Sequence, residues 1–247
     1  MAGRFESLGR VQVPGFPARE ITVYRPAGHR EEVAAPALLV FDGQNAFDDR
    51  PGAPGWKLHR AIDALDLAEH AAPLVVAIPH GGATRMEELT PWPIEGRGGR
   101  GDAFLDWVAG ALVPLVRSRY LLPEGALGAA LGGTSWGGLM ALHGHFRFPG
   151  LFGGALALSP SCWVGEFAIF DDLRRREVPR FSRIYLDCGG LEAEGRMLPP
   201  ARALAQELYG RGYSQAQLKW VEDPGADHTE HEWARRLPGA VRFMYRR

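Results

Sequence analysis

The sequence has little of what several protein classes require. Among its 247 residues are two cysteines, Cys162 and Cys188. That is too few for a disulfide framework or a cysteine-rich metal site. No stretch reaches the ~20 consecutive apolar residues of a membrane-spanning helix. The opening Met-Ala-Gly-Arg-Phe-Glu-Ser lacks the apolar core of a secretory signal. A cytoplasmic protein with both thiols reduced is therefore expected. A one-signed field is missing too. The 28 basic and 29 acidic side chains leave a formal charge of -1, which offers nothing to nucleic acid or an anionic membrane. The densest basic run, Arg174-Arg175-Arg176, lies beside Asp171 and Asp172 and reads as a solvated helix end. There is no internal repeat and no low-complexity linker. His143 and His145 stand two apart on a predicted helix and so face different sides. His59 and His70 are isolated. Packing or solvent is assigned to each, and neither metal nor cofactor is expected. Nothing in the sequence specifies an oligomeric state.

What is present is an alternation. Short apolar runs predict strands over 20–24, 37–41, 74–78, 127–131, 155–158, 184–187 and 218–221. Helical spacing predicts helices over 56–70, 103–120, 137–146, 167–175, 200–211 and 232–245, with Pro114 as a kink or break in the second. Alternating strands and helices imply one α/β domain over 1–247, with a mostly parallel sheet covered on both faces. The first two strands are joined too closely for a crossover helix, so the sheet is expected to begin antiparallel.

One strand-to-helix junction carries chemistry. Gly133-Thr-Ser135-Trp-Gly137 matches G-x-S-x-G, the pattern of a nucleophile elbow. There the serine takes strained backbone angles, and side chains two residues either side would clash. The helix that follows supplies backbone N–H groups, and that of Trp136 is placed to stabilise an oxyanion. Such a serine needs a base. His228 follows the glycine loop after the last strand, and His231, at the start of the closing helix, is the reserve. The third group is a carboxylate after the strand at 184–187. Glu192 lies beyond the Gly189-Gly190 turn, with Asp187 and Glu194 as alternatives.

These residues resemble the putative esterase family of α/β-hydrolases. The segments that carry the likeness are Val40-Phe-Asp-Gly-Gln-Asn-Ala-Phe47, Gly133-Thr-Ser-Trp-Gly-Gly138, Phe148-Pro-Gly-Leu-Phe152, Ser159-Pro-Ser161, Asp187-Cys-Gly-Gly-Leu-Glu192, and Gly225-Ala-Asp-His228 through Trp233. The resemblance implies an α/β-hydrolase fold and a small-molecule ester substrate. It also implies a second oxyanion donor, the backbone N–H of Gln44, in a segment that otherwise reads only as a turn. A bulky Trp136 beside the serine departs from the smaller or more flexible residue expected there and narrows the pocket. The interval 159–182, where such folds often insert a cap, holds one predicted helix, so little or no cap is expected. Trp56, Trp92, Trp136 and Trp163 fall on loops or element ends facing the same edge. With Arg85 and Glu87-Glu88, they are candidates to contact substrate. The leading expectation is a carboxylesterase acting through an acyl-enzyme on Ser135. An acyltransferase and a catalytically silent binding protein of the same fold are the alternatives.

Overall fold

A computed structural model describes residues 3–48 and 55–247. Its centre is an eight-stranded sheet. The strands are β1 (Arg4–Val13), β2 (Phe16–Arg25), β3 (Ala37–Phe41), β4 (Leu74–Ile78), β7 (Ala129–Thr134), β8 (Gly154–Leu158), β9 (Arg183–Gly189) and β10 (Leu218–Asp223). They lie in the order β1-β2-β4-β3-β7-β8-β9-β10. β5 (Pro93–Ile94) and β6 (Arg97–Gly98) form a small separate hairpin. β3, β4 and β8 read ALLVF, LVVAI and GALAL and are buried along their whole length. Continuous apolar runs are what a parallel sheet covered on both faces demands.

The pleat divides those runs between two cores. Leu39 and Phe41 pack with α3 (Gly101–Trp107), α5 (Trp136–Arg147) and α7 (Leu198–Gly210). Leu38 and Val40 pack on the other face with α1 (Leu58–Asp63) and α8 (Glu230–Tyr245). The chain thus has the expected mostly parallel α/β-hydrolase architecture. Among the described residues, no helix is long and apolar enough to cross a membrane.

Several local expectations are corrected. β1 escaped the sequence reading because it is an edge strand, with only Val13 buried. The sheet does begin antiparallel, but β2 pairs with β4 rather than with β3, which lies one place further in. The helix expected over 56–70 shrinks to Leu58–Asp63. Asp66 bends the chain beyond it, accepting the Ala68 N–H at 2.9 Å. The helix expected over 103–120 is not broken at Pro114. A wider π turn, Val108–Leu112, joins α3 to α4 (Val113–Arg119). In a regular helix the proline ring would meet the carbonyl four residues back.

The interval after β8 holds one helix, α6 (Val164–Arg174). A second piece of cover comes from the chain between β4 and α3, where α2 (Arg85–Leu89) leads into the β5–β6 hairpin. Gly165, with φ +62°, allows Trp92 to lie directly against α6, since a Cβ there would sit 2.5 Å from the Trp92 Cβ.

Candidate active site

Ser135 stands between the end of β7 and the start of α5, with φ 55° and ψ -119°. This is a strained backbone for a residue with a side chain. The surrounding glycines allow it. A Cβ on Gly133 would meet the Gly137 carbonyl carbon at 2.6 Å, and one on Gly138 would meet the Leu158 carbonyl oxygen at 3.0 Å. The backbone of Ser135 is also tied down, because its N–H donates to the Leu158 carbonyl at 3.0 Å and its carbonyl accepts from Ser161 N–H at 3.1 Å. Its hydroxyl lies 3.1 Å from the buried Ser161 hydroxyl. The Trp136 N–H opens the first turn of α5, where the helix supplies no acceptor of its own.

On one flank lies a buried carboxylate. Glu192 is fully buried, and its Oε2 is 2.8 Å from Nδ1 of His228. Its Oε1 accepts from Ser159 Oγ at 2.6 Å, Gly189 N–H at 2.8 Å and Arg236 Nη2 at 3.3 Å. Burial alone would raise this carboxyl. The hydrogen bonds from His228, Ser159 and the Gly189 N–H outweigh it and hold Glu192 below the ordinary carboxylate range. Asp187 points elsewhere. It accepts from Ser159 N–H at 3.0 Å and Arg236 Nε at 2.9 Å. Burial pushes it up to about 6, against the pull of Arg236. Trp233 stands edge-on to the His228 ring at 4.9 Å and donates from its indole N–H to Ser159 Oγ at 2.9 Å. Of the alternatives, Glu194 is exposed beside Arg196, and His231 is exposed near the start of α8.

On the other flank, Asp42 sits at the end of β3 with φ 54° and is almost fully buried. Arg85 grips it through Nε and Nη2, both at 2.7 Å, and lays its guanidinium over the Trp136 ring at 4.7 Å. Burial works against the charge on Arg85. The Asp42 pairing, helped by the charge of Glu230, overcomes that and strengthens its basicity. The following turn carries Gln44, which is exposed, and its side-chain oxygen accepts from His80 N–H at 3.3 Å. The turn is pressed onto β4, since a Cβ on Gly43 would meet the Ile78 nitrogen at 2.3 Å.

The substrate candidates separate. Trp56 is 2% exposed in the core beneath α1 and cannot be a substrate contact. Its loop-like sequence surroundings concealed a core position. Glu88 is likewise sealed in a two-pronged pair with Arg19, at 2.9 and 3.0 Å. Glu87 accepts from Gly98 N–H at 3.2 Å and so ties α2 to the hairpin. Arg85 spends two donors on Asp42 and Trp92 packs edge-on to His143 at 5.0 Å, whereas Trp163 is 39% exposed. His143 is held between Asp102 and Asp172 at 2.7 and 2.9 Å, and His145 between the Phe152 carbonyl and Ser182. Both are packing residues. Cys162 and Cys188 are buried and unlinked, and burial pushes Cys162 up to about 12. Among the described residues, no three His, Cys, Asp or Glu side chains converge as a metal site.

Sequence reasoning missed Arg236 and the part played by Ser159. The signal for Arg236 was available: it lies on the stripe Trp233, Leu237, Ala240, Val241, Met244 that α8 buries. An arginine on a buried stripe requires a carboxylate partner.

A mostly parallel sheet with a strained serine at the C-terminal end of a central strand defines the α/β-hydrolase class. The chain belongs to the putative esterase family, whose pattern matches residues 17–244; it is an ester hydrolase. It is 23% identical to the uncharacterized protein YbbA of Bacillus subtilis over 92% of both chains. It is 39% identical to a siderophore triacetylfusarinine C esterase of Aspergillus fumigatus, over 53% of each chain. Among solved structures it is similar in fold to the siderophore hydrolase EstA of Aspergillus nidulans, with a TM-score of 0.75 and 21% identity over 98% of this chain and 93% of that one. A similar likeness, with a TM-score of 0.76 and 21% identity, holds to an IroE-like serine hydrolase of Shewanella oneidensis, over 98% of this chain and 80% of that one.

Proposed function

We propose that the protein hydrolyses carboxylic esters through an acyl-enzyme on Ser135. The observation that carries this reading is the 2.8 Å contact of a fully buried, ionised Glu192 with Nδ1 of His228, on the sheet edge where Ser135 is strained outward. The carboxylate keeps the Nδ1 proton in place, so that Nε2 is free to take a proton from Ser135. The Ser135 oxygen adds to the ester carbonyl. The N–H groups of Trp136 and Gln44 receive the oxyanion, and each such donor is worth about 10² to 10³ in rate. His228 then returns the proton to the leaving alcohol. Water, activated by the same imidazole, releases the acid and restores Ser135. Arg85 holds Asp42 and Trp136, and through them the two segments that offer the oxyanion donors.

Ser135 and Trp136 are half-buried, and Trp163 and Phe167 are exposed at the start of α6. Together with the activities named for the relatives, this makes siderophore esters such as triacetylfusarinine C and enterobactin the first substrates to test, beside simple aryl esters. Ser135→Ala is expected to fold, to lose a fluorophosphonate label and to lower kcat by at least about 10⁴. Labelling at another serine, or retained turnover, overturns the reading. Product analysis with added alcohols separates acyl transfer from hydrolysis.

A further inference from the structure

The opposite end of the sheet carries a second feature. A cavity of about 410 Å³ opens where the parallel strands begin, lined by Pro36 before β3, Ala129 in β7, Gly154 in β8 and Arg183 in β9. Ser135 follows the other end of β7. Six residues at ~3.3 Å each put the two sites roughly 20 Å apart, so this cavity is no extension of the catalytic edge.

Its charge is of one sign. Arg180, Arg183 and Arg246 all line it, and no aspartate or glutamate does. Several arginines elsewhere, among them Arg19, Arg85, Arg202 and Arg236, are matched to carboxylates at hydrogen-bond distance, while Arg117 and Arg211 donate to backbone carbonyls. None of the three cavity arginines has a carboxylate partner among the described residues. Arg183 is fixed in place, donating from Nη1 to the carbonyls of Met244 and Arg246 at 3.0 and 2.6 Å. Burial, and after it the charge of Arg246, weakens the basicity of Arg183. An anion here relieves both effects. The remaining walls are mostly apolar, with Ser182, Gln217 and Tyr245 as the polar exceptions. Leu127 and Phe181 stand at the cavity, 61% and 46% exposed, and Met244 and several alanines complete it. A concave apolar surface with a few convergent polar groups is the form of a small-molecule site.

We propose that this cavity is a second ligand site, taking a small carboxylate with an apolar body. The guanidinium forks receive the carboxylate, for which their planar geometry is suited. Leu127, Phe181 and Met244 cover the hydrocarbon. Inorganic phosphate has no apolar body to bury, and an uncharged alcohol leaves the arginines unpaired.

The test is a heteronuclear NMR titration of the full chain with hexanoate, 1-hexanol and inorganic phosphate as probes. Hexanoate is expected to bind saturably, with shifts centred on Arg183, Gly154 and Met244. Hexanol and phosphate are expected to bind at least about 10-fold more weakly. The double variant Arg180→Ala, Arg246→Ala removes two exposed side chains and is expected to weaken hexanoate by about 10-fold or more, with esterase turnover unchanged. If the double variant melts early, Arg180→Ala alone carries the test, with about 3-fold weaker binding expected. The proposal is overturned by the absence of saturable binding, by shifts confined to the neighbourhood of Ser135, by unchanged affinity in the variants, or by hexanol or phosphate binding as tightly as hexanoate.

Discussion

On one side of Ser135, the Glu192 carboxylate is sealed from water and receives hydrogen bonds from His228, Ser159, Gly189 and Arg236. On the other, Asp42 depends on one arginine whose side chain is 31% exposed. The first flank is over-determined: several donors hold one carboxylate, and the loss of any one leaves the others. The second is a single bidentate clasp, supported by a cation–π contact with Trp136 and by the charge of Glu230. The difference matches what each flank must hold. An orienting carboxylate has to keep one charged geometry against burial, whereas the clasp only has to keep two backbone segments in register. Breaking the two flanks should therefore have unequal consequences.

The largest effect is expected at the acid. In the proposed mechanism, Glu192→Gln removes the charge that fixes the His228 tautomer and stabilises the imidazolium. Steady-state kinetics on an aryl ester should show kcat falling about 10² to 10⁴-fold with KM nearly unchanged. The exposed Glu194→Gln should change neither. Full kcat in Glu192→Gln would mean that His228 works without an oriented acid.

Arg236→Met attacks the same flank from behind. It leaves two buried carboxylates without their shared cation, and breaking a buried pair in this way costs about 3–5 kcal/mol. For a domain of this size, the melting temperature should fall on the order of 10 °C. Adding Asp187→Asn to it should recover part of the loss, because one of the two stranded charges is then gone. Strict additivity of the two changes would show that Arg236 and Asp187 are not a unit.

How much of this was legible in the sequence follows from which constraints are local. The elbow is local: a serine at positive φ needs small neighbours within a few residues, and the glycines announce it. The choice among Asp187, Glu192 and Glu194 is not. It turns on Asp187 still lying within β9, in register with Val221 and Leu158, so that its side chain is committed to Arg236. Strands in the sheet centre were readable because burial on both faces leaves only apolar residues. The edge strand β1 was not, because water tolerates a polar sequence there. Trp56 misled for the opposite reason: a tryptophan near a loop can still be driven inward by the area it buries. Arg236 was overlooked because its partners lie 44 and 49 residues away in sequence.

The exposed clasp should give a smaller effect than either acid-side change. Arg85→Ala frees Asp42 and uncovers Trp136, loosening the turn that carries Gln44 without removing any reacting group. We expect kcat/KM to fall about 10-fold, a loss of near 1.4 kcal/mol, with a smaller drop in melting temperature than Arg236→Met gives, since truncating the partly exposed Arg85 lets water reach Asp42. Arg85→Lys should recover little of it, since an ammonium cannot span both carboxylate oxygens. If Arg85→Ala costs as much as Glu192→Gln, the clasp takes part in the chemistry, and the contrast between the flanks fails.

The smallest effect on turnover concerns Asp187, and it separates the two carboxylates of the buried flank. Burial raises Asp187 from the ordinary 3.8 to about 6. Between those values the folded protein holds a proton there more tightly than the unfolded chain does. This group's contribution to stability therefore declines as pH rises through that window, by about 3 kcal/mol for a shift of two units. Glu192 has the opposite sign: its carboxyl is held low, so the stability it contributes is lost as pH falls. Asp187→Asn leaves Glu192 and the histidines in place and removes only the first contribution. Ser159 N–H and Arg236 Nε bond different oxygens of Asp187, so the single asparagine oxygen keeps one of these bonds and not both. Turnover at neutral pH should change less than about 3-fold, because Asp187 does not touch His228. The informative quantity is the melting temperature of the variant minus that of the native protein. As pH falls from about 7 to about 5, the native protein gains the proton on Asp187 and the variant gains nothing. The difference should therefore become more negative across that interval. A constant difference would show that Arg236 holds Asp187 ionised throughout, and that both carboxylates of this flank are charged at once.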